Sequence, residues 1–164
     1  MERFHEITLT VNGARVTRRV EARKHVIDFL REDLELTGSH VGCEHGVCGA
    51  CTVRVNGDIV RGCLMLAVQL DGATVETIEG LTDSGEIADL QQAFVERNAL
   101  QCGFCSPGML AAAAELVKRP RRPSRVEIRE FISGNYCRCT GYHAIVDAIE
   151  SVVEARGSTT EAGR

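Results

Sequence analysis

The stretch GCEHGVCGACT at residues 42–52 decides how the first half of this chain folds, because it concentrates three cysteines in a short glycine-rich loop. Cys43, Cys48 and Cys51 have the spacing C-x4-C-x2-C, and Cys63 follows after eleven further residues. This is the plant-type arrangement of ligands for a two-iron, two-sulfide cluster. Three thiolates on one loop can surround one side of such a cluster while the fourth arrives from an adjoining strand. The spacing therefore predicts a 2Fe-2S site held by these four cysteines.

Other uses of the same cysteines fit the spacing less well. A structural zinc site usually has two paired C-x2–4-C knuckles, whereas only Cys48 and Cys51 are paired so closely here. His45 follows Cys43 as in half of a Rieske site, but no C-x-x-H segment accompanies it. The dithiol motif from Cys48 to Cys51 lacks the strand and helix of a thioredoxin unit. Iron-sulfur ligation is favoured, and we expect His45 to be a loop residue or a neighbour of the ligands, not a ligand itself.

Composition narrows the class of protein. The chain has 164 residues, eight cysteines and a net charge of −4. A nucleic-acid-binding protein would normally be basic, and no apolar run approaches the roughly 20 residues of a membrane span. The N-terminal residues lack a signal-peptide pattern, so we expect a cytoplasmic protein, in which grouped cysteines are more typical of metal ligands than of disulfides. Metal binding would also support the small cores expected from so few aromatic residues.

A second quartet of cysteines follows in the other half of the chain. Residues 102–105 read CGFC and precede one predicted helix, while residues 137–139 read CRC and precede another. Two helix N-termini would direct N–H groups and the positive ends of their dipoles at an anionic cluster. Spacing alone leaves zinc open for this quartet, although an iron-sulfur cluster is favoured. We expect Phe104 to shield the site from water, and Tyr136 and Tyr142 to anchor the loop.

The first half shows the alternation of apolar and polar residues that is typical of strands. Two Asn-Gly pairs mark hairpin turns, and apolar residues at helical spacing from Val26 to Leu34 predict one short helix. This order predicts a small mixed sheet wrapped over one helix. The predicted strands are 7–11, 14–20, 52–55, 59–61 and 74–78.

The second half shows helical periodicity from about residue 80. We predict four helices and place a ferredoxin-like domain at residues 1–80, a helical domain at residues 81–156 and a flexible tail at residues 157–164. The helix signals are an apolar face of Ile87, Leu90, Phe94 and Val95, an N-cap at Ser106 with Pro107 after it, a capping box of Ser124 and Glu127, and an N-cap at Thr140.

Three motifs, taken in order, resemble the signatures of a known family. They are GCEHGVCGACT at residues 42–52, QCGFCSPG at residues 101–108 and GNYCRCTGY at residues 134–142. Together they resemble the iron-sulfur subunit of molybdenum hydroxylases, the xanthine oxidase family, which includes the small subunit of aerobic carbon monoxide dehydrogenases. The resemblance covers nearly the whole chain, with Ser106 as a departure where the family often has Thr.

The resemblance implies an α+β fold, in which a β-grasp 2Fe-2S ferredoxin-like domain precedes a four-helix 2Fe-2S-binding domain. It implies that electrons pass from molybdopterin in a large subunit through the helical-domain cluster, then the ferredoxin-domain cluster, to FAD in a medium subunit. It also implies a dimer of such heterotrimers, a hydrogen bond from Gln101 to the pterin, and Cys139 lying against the pterin's amino group. The chain has no dinucleotide fingerprint and no candidate catalytic base, so we expect the partners to supply both.

Two other functions stay open from the sequence. A free-standing two-cluster ferredoxin would be a stable monomer, and a zinc-stapled interaction protein would be colourless. The segment 118–125 has five basic residues in eight, which we interpret as a solvated loop between helices or a docking surface for an acidic partner.

Overall fold

The N-terminal half forms a five-stranded mixed sheet in the order β2-β1-β5-β3-β4. In this computed structural model, which describes residues 3–161, the strands are β1 Phe4–Val11, β2 Ala14–Glu21, β3 Thr52–Val55, β4 Asp58–Arg61 and β5 Thr74–Glu76. β1 runs antiparallel to β2 and parallel to β5, and β3 runs antiparallel to β4 and β5. Both Asn-Gly turns have positive φ at both residues, as this hairpin turn requires. The two predicted hairpins are confirmed.

One helical segment packs against this sheet. Helix α1, Val26–Asp28, continues as a turn of π-helix over Phe29–Asp33. Phe29 is fully buried against the alternate residues of β1 that face inwards. A short 3-10 helix at Ala67–Leu70 completes this core and was not predicted. The sheet and α1 therefore form one apolar core, which supports the loop that carries the first three cysteines.

The second half is helical, and its four predicted helices are confirmed. They surround a second core in which helix α4 is central, because every residue from Gly108 to Ala114 is buried. An additional short helix, α2, was not predicted. The helices are α2 Ile78–Asp83, α3 Ala88–Glu96, α4 Ser106–Val117, α5 Arg125–Ile132 and α6 His143–Glu161.

The helix ends show which local predictions were right. The capping box of Ser124 and Glu127 is present at α5. The cap at Ser106 was wrong, because α4 already includes that residue and Cys105 occupies the cap position. Val95 was also wrong as a member of the buried face of α3, since its side chain is 64% exposed. The predicted cap at Thr140 was wrong too, because α6 begins only at His143.

The two halves are joined without an extended linker. The proposed boundary at residue 80 falls inside α2, and α6 extends to Glu161, so residues 157–161 of the predicted tail are helical and residues 162–164 lie outside the described residues. Arg54 on β3, only 3% exposed, forms ion pairs with Glu76 on β5 and with Glu86 just before α3. This buried guanidinium ties the sheet to the helical half.

Four of the five basic residues in segment 118–125 pair with acidic side chains of the same chain. Lys118 pairs with Glu86, and Arg119 lies 4.5 Å from the centre of the Phe131 ring. The remaining arginines of the segment pair with Glu127, Glu154, Asp147 and Glu150. Within residues 3–161, no helix combines the length and apolarity that crossing a membrane requires.

Candidate iron-sulfur sites

The first quartet lies where the loop after α1 meets the start of β3 and the end of β4. Cys43 and Cys48 are partly exposed, whereas Cys51 and Cys63 are buried. The loop bends through positive φ at Glu44, Gly46 and Gly49, which lets successive backbone N–H groups turn towards the cysteines. The N–H of Cys48 donates to Cys43 Sγ at 3.3 Å.

Backbone N–H donors and burial shift the pKa values of the thiols in this quartet in opposite directions. The N–H groups of Cys48 and His45 lower the pKa of the Cys43 thiol to about 6. Burial, followed by a hydrogen bond with Cys51, raises the pKa of Cys63 to about 11. Metals bind the thiolate form of cysteine. By lowering the pKa of Cys43, the backbone N–H groups therefore favour metal binding on the outer side of this quartet.

Close packing at Gly42 leaves no room for a side chain next to these thiols. A Cβ atom at Gly42 would lie 2.9 Å from Cys48 Sγ. The sequence therefore needs glycine here so that backbone and sulfur can approach each other. His45, predicted to be a loop residue, is exposed, and its Nδ1 contacts the carbonyl oxygen of Cys43.

The second quartet lies near the surface of the helical half. Cys102 Sγ and Cys139 Sγ are 3.6 Å apart, and both residues are exposed. Cys105 and Cys137 are neighbours and form the less exposed, inner side. Cys105 immediately precedes α4, as predicted, whereas Cys139 is separated from α6 by three residues.

Local hydrogen bonds organise the inner side of this quartet. Burial, followed by the bond with Cys137, raises the pKa of Cys105 to about 12. Burial also acts to raise the pKa of Cys137, but hydrogen bonds from Thr140 outweigh it and the pKa is lowered. The Thr140 hydroxyl, predicted as a helix cap, instead donates to Cys137 Sγ at 3.0 Å. The Tyr142 hydroxyl accepts from the N–H of Cys137 at 2.8 Å, so Tyr142 anchors the loop as expected.

The arrangement of sulfurs distinguishes between two kinds of metal site. All eight cysteines are free, and each quartet divides into two pairs of neighbouring thiols: Cys43 with Cys48, Cys51 with Cys63, Cys102 with Cys139, and Cys105 with Cys137. Nowhere in residues 3–161 do three Cys, His, Asp or Glu side chains converge so that they could hold one ion. A zinc site needs four ligands around one ion, whereas a 2Fe-2S cluster takes two cysteines on each of two irons. The donor sets fit two 2Fe-2S clusters.

The two cysteine loops touch each other. The N–H of Tyr136 donates to the carbonyl oxygen of Cys48 at 2.8 Å. The ring of Phe104 stacks on His40 with centroids 4.6 Å apart, and His40 Nδ1 contacts the Phe104 carbonyl oxygen. Phe104 therefore connects the two loops, although its own side chain is 47% exposed. Tyr136 is exposed, and its backbone, not its ring, makes the contact to the other loop.

Two polar residues between the loops, the buried Asn135 and the partly buried Arg61, were not singled out from the sequence. Asn135 and Arg61 contact the backbone of the opposite loop, at Gly49 and Gly134 respectively. Their positions beside cysteines were the available signal, because Asn135 lies two residues before Cys137 and Arg61 lies two residues before Cys63. Sequence spacing does not reveal which side chains meet across a domain interface.

The residues proposed to contact the pterin lie together on the surface. Gln101 is exposed, and its Nε2 donates to the carbonyl oxygen of Cys139 at 3.1 Å. Cys139 is one of the two exposed thiols. The structure thus places Gln101 and Cys139 side by side, as their predicted common role requires, and that role stays a prediction.

Two family models cover the chain in the order of its two halves. A 2Fe-2S iron-sulfur cluster binding domain matches residues 9–81, and a [2Fe-2S] binding domain matches residues 77–150. The caffeine dehydrogenase subunit gamma of Pseudomonas sp. (strain CBB1) is 54% identical over 153 residues, which are 90% of each chain. The nicotine 6-hydroxylase small subunit of Paenarthrobacter nicotinovorans is 51% identical over 144 residues, covering 88% of this chain and 87% of the relative.

The chain belongs to the small iron-sulfur subunits of the xanthine oxidase family of molybdenum hydroxylases. Solved structures agree with this family. Quinoline 2-oxidoreductase from Pseudomonas putida 86 has a chain that is 47% identical, with a TM-score of 0.88 over 97% of this chain and 98% of that one. The aldehyde oxidoreductase of Desulfovibrio gigas gives a TM-score of 0.84 at 38% identity over 94% of this chain, which corresponds to 17% of that larger chain.

Membership in the family confirms the main predictions from the sequence. The fold is α+β, with a ferredoxin-like domain followed by a helical 2Fe-2S domain. The chain is a subunit of a multisubunit oxidoreductase, which disfavours the free-standing ferredoxin, and its two 2Fe-2S domains disfavour the zinc-stapled protein. The individual cysteine ligands, Gln101 and the domain limits stay predictions.

Proposed function

We propose that this chain relays single electrons from a molybdopterin site in a large subunit to FAD in a medium subunit, within a cytoplasmic dimer of heterotrimers. When bound, each 2Fe-2S cluster accepts and gives up one electron at a time. Cys43, Cys48, Cys51 and Cys63 hold one cluster in the domain at residues 1–80, and Cys102, Cys105, Cys137 and Cys139 hold the other in the domain at residues 81–156. The chain supplies no catalytic residue of its own.

The observation that carries this proposal is the hydrogen bond between the two cysteine loops. Tyr136 N donates to the carbonyl oxygen of Cys48, one of the proposed ligands, at 2.8 Å. Tyr136 is covalently joined to Cys137, a proposed ligand of the other cluster. The two quartets are therefore connected by covalent bonds and one hydrogen bond, which couple redox centres better than an equal gap through water or loosely packed atoms.

The exposure of the cysteines supports the proposed direction of transfer. Cys102 and Cys139 lie at the surface beside Gln101, where the large subunit and its pterin would dock. In the first quartet, the exposed loop residues Glu44, His45 and Val47 lie beside the partly exposed Cys43, and the medium subunit would dock there. Exposed apolar residues, Val47 and Leu64, stand close to this second surface, as is typical of the centre of an interface.

A variant that blocks one step tests the relay. In the complex purified with its partner subunits, Cys51→Ser is expected to abolish reduction of the flavin by the enzyme's own reducing substrate. The second cluster should still be reduced, because electrons reach it first. The measurement is stopped-flow absorbance of the flavin together with EPR of the clusters. Flavin reduction at the wild-type rate in this variant would contradict the proposed order.

A further inference from the structure

Asn135 is a buried polar residue between the two cysteine loops, with its side chain only 2% exposed. Its Nδ2 donates to the carbonyl oxygen of Gly49 at 3.1 Å and to the Thr52 hydroxyl at 3.4 Å. Its Oδ1 accepts from Arg61 Nη2 at 3.2 Å. The amide is therefore bonded on both sides, as buried polar groups in native proteins usually are, and both bonding directions lead to the ferredoxin-like half.

Arg61 completes the same network from the end of β4. Its Nη2 donates to the carbonyl oxygen of Gly134 at 2.8 Å, and its Nη1 donates to the Thr52 hydroxyl. The Thr52 hydroxyl in turn donates to the carbonyl oxygen of Gly49 at 2.6 Å. Gly49 lies between Cys48 and Cys51, and Gly134 lies three residues before Cys137. The network thus forms hydrogen bonds with the backbone of both cysteine loops.

The backbones that this network joins are in close contact. A Cβ atom at Gly49 would lie 2.6 Å from both Asn135 Nδ2 and the Gly134 oxygen, and one at Gly108 would lie 2.2 Å from the Gly49 oxygen. Such contacts leave the loops one way to fit together, because packed interiors are not continuously deformable. The bond from Tyr136 N to the Cys48 oxygen is formed directly beside them.

We propose that Asn135 and Arg61 are a pair of positioning residues, which fix the spacing of the two cysteine loops and thereby the rate at which an electron crosses between them. The inference rests on the proposed function and adds named residues to it. Neither side chain is a proposed ligand; both act through the backbone of Gly49 and Gly134. Small displacements of reacting groups cost large factors in rate. Loss of these hydrogen bonds should therefore slow electron transfer between the two clusters while both clusters stay bound.

The test uses three variants and a control in the purified complex. Asn135→Asp keeps the acceptor for Arg61 but removes the two N–H donors, and Asn135→Ala removes the whole amide. Arg61→Lys keeps the positive charge but lacks the planar guanidinium group that bonds to several partners at once. Glu86→Gln is the matched control, because it weakens the ion pair with Arg54 that also joins the two halves away from the cysteine loops.

Two readouts avoid the need for a substrate. The first is the magnetic splitting between the two EPR signals of the dithionite-reduced complex, which falls as the clusters move apart. The second is pulse radiolysis, in which a methyl viologen radical delivers one electron and its redistribution between the clusters is followed. Reduction potentials of both clusters are titrated in every variant.

We expect Asn135→Asp and Asn135→Ala to reduce the splitting and to slow the redistribution by roughly tenfold or more, with Arg61→Lys intermediate and Glu86→Gln at the wild-type values. Wild-type splitting and rate in both Asn135 variants would overturn the proposal. An equal effect in Glu86→Gln, or a slower rate explained by shifted potentials, would overturn it too. Failure of the relay itself would instead appear in the wild-type complex, as no redistribution at all.

Discussion

The two cysteine quartets differ in how far each is enclosed by this chain. In the first, Cys51 and Cys63 are buried at the edge of the sheet core, and no member is fully exposed. In the second, Cys102 and Cys139 are exposed and only Cys105 and Cys137 are partly covered. The first site is therefore enclosed mainly by its own domain, whereas in the relay proposed above the large subunit would cover the outer pair of the second.

The largest effect should come from exchanging one sulfur in each quartet. Cys51→Ser should remove the EPR signal of the first cluster and leave the second. It should also lower the free energy of unfolding for two reasons. The binding energy of the cluster is lost, and the new buried hydroxyl without a partner costs about 1–3 kcal/mol. Cys139→Ser, at an exposed position, should remove the second signal with a smaller loss of stability. EPR and denaturant unfolding measure both effects. Loss of both signals in Cys51→Ser would contradict two separate sites.

A methyl group at Gly108 should disturb the junction of the two quartets. Its Cβ would lie 2.2 Å from the Gly49 oxygen, a backbone atom that has little freedom to move. Gly108→Ala is therefore expected to destabilise the protein by about 1–3 kcal/mol, as overpacking usually does. The control Ser106→Ala in the same turn of α4 should change stability by less than about 0.5 kcal/mol. Urea unfolding compares the two, and equal values would show that α4 does not meet the first cysteine loop at Gly49 as described.

A smaller, pH-dependent effect is expected at the ion pair that joins the halves away from the cysteines. Arg54, assisted by Lys118, lowers the pKa of Glu86 from 4.5 to about 2. Because the folded pKa is depressed, the stabilisation is present above about pH 4.5 and is lost as the pH falls towards 2. Glu86 is partly exposed, so the contribution should not exceed about 1 kcal/mol.

The comparison of wild type with Glu86→Gln isolates this contribution from acid damage to the clusters, which affects both proteins alike. The difference between their urea midpoints should be largest near neutral pH and should shrink below about pH 4.5. A difference that stays constant from neutral pH to pH 4 and below would show that Glu86 is not held in its charged form by Arg54.

The features that were predicted correctly depend on residues close together in the chain. Asn12-Gly13 and Asn56-Gly57 specify tight hairpins because both residues of each turn need positive φ. The capping box of Ser124 and Glu127 involves only one helical turn. The cysteine spacings grouped the thiols that share a loop, and the assignment of all eight cysteines as cluster ligands stays a prediction. Local chemistry of this kind is readable from sequence.

The features that were missed depend on how the two halves pack. Nothing near Asn135 indicates that its amide meets Gly49, 86 residues earlier in the chain. The two missed helix caps are local errors of a different kind. Helix α4 begins one residue earlier than predicted, with Cys105 at its cap, and the Thr140 hydroxyl donates to Cys137 Sγ instead of capping α6.

The most direct test of the account is EPR of the dithionite-reduced complex together with its iron and zinc content. Two bound 2Fe-2S clusters predict about four irons for each copy of this chain and no stoichiometric zinc. They also predict two distinct rhombic signals, which split each other because the quartets are joined through Cys48 and Tyr136. One signal with about two irons, a zinc-containing colourless chain, or two signals without mutual splitting would contradict the account.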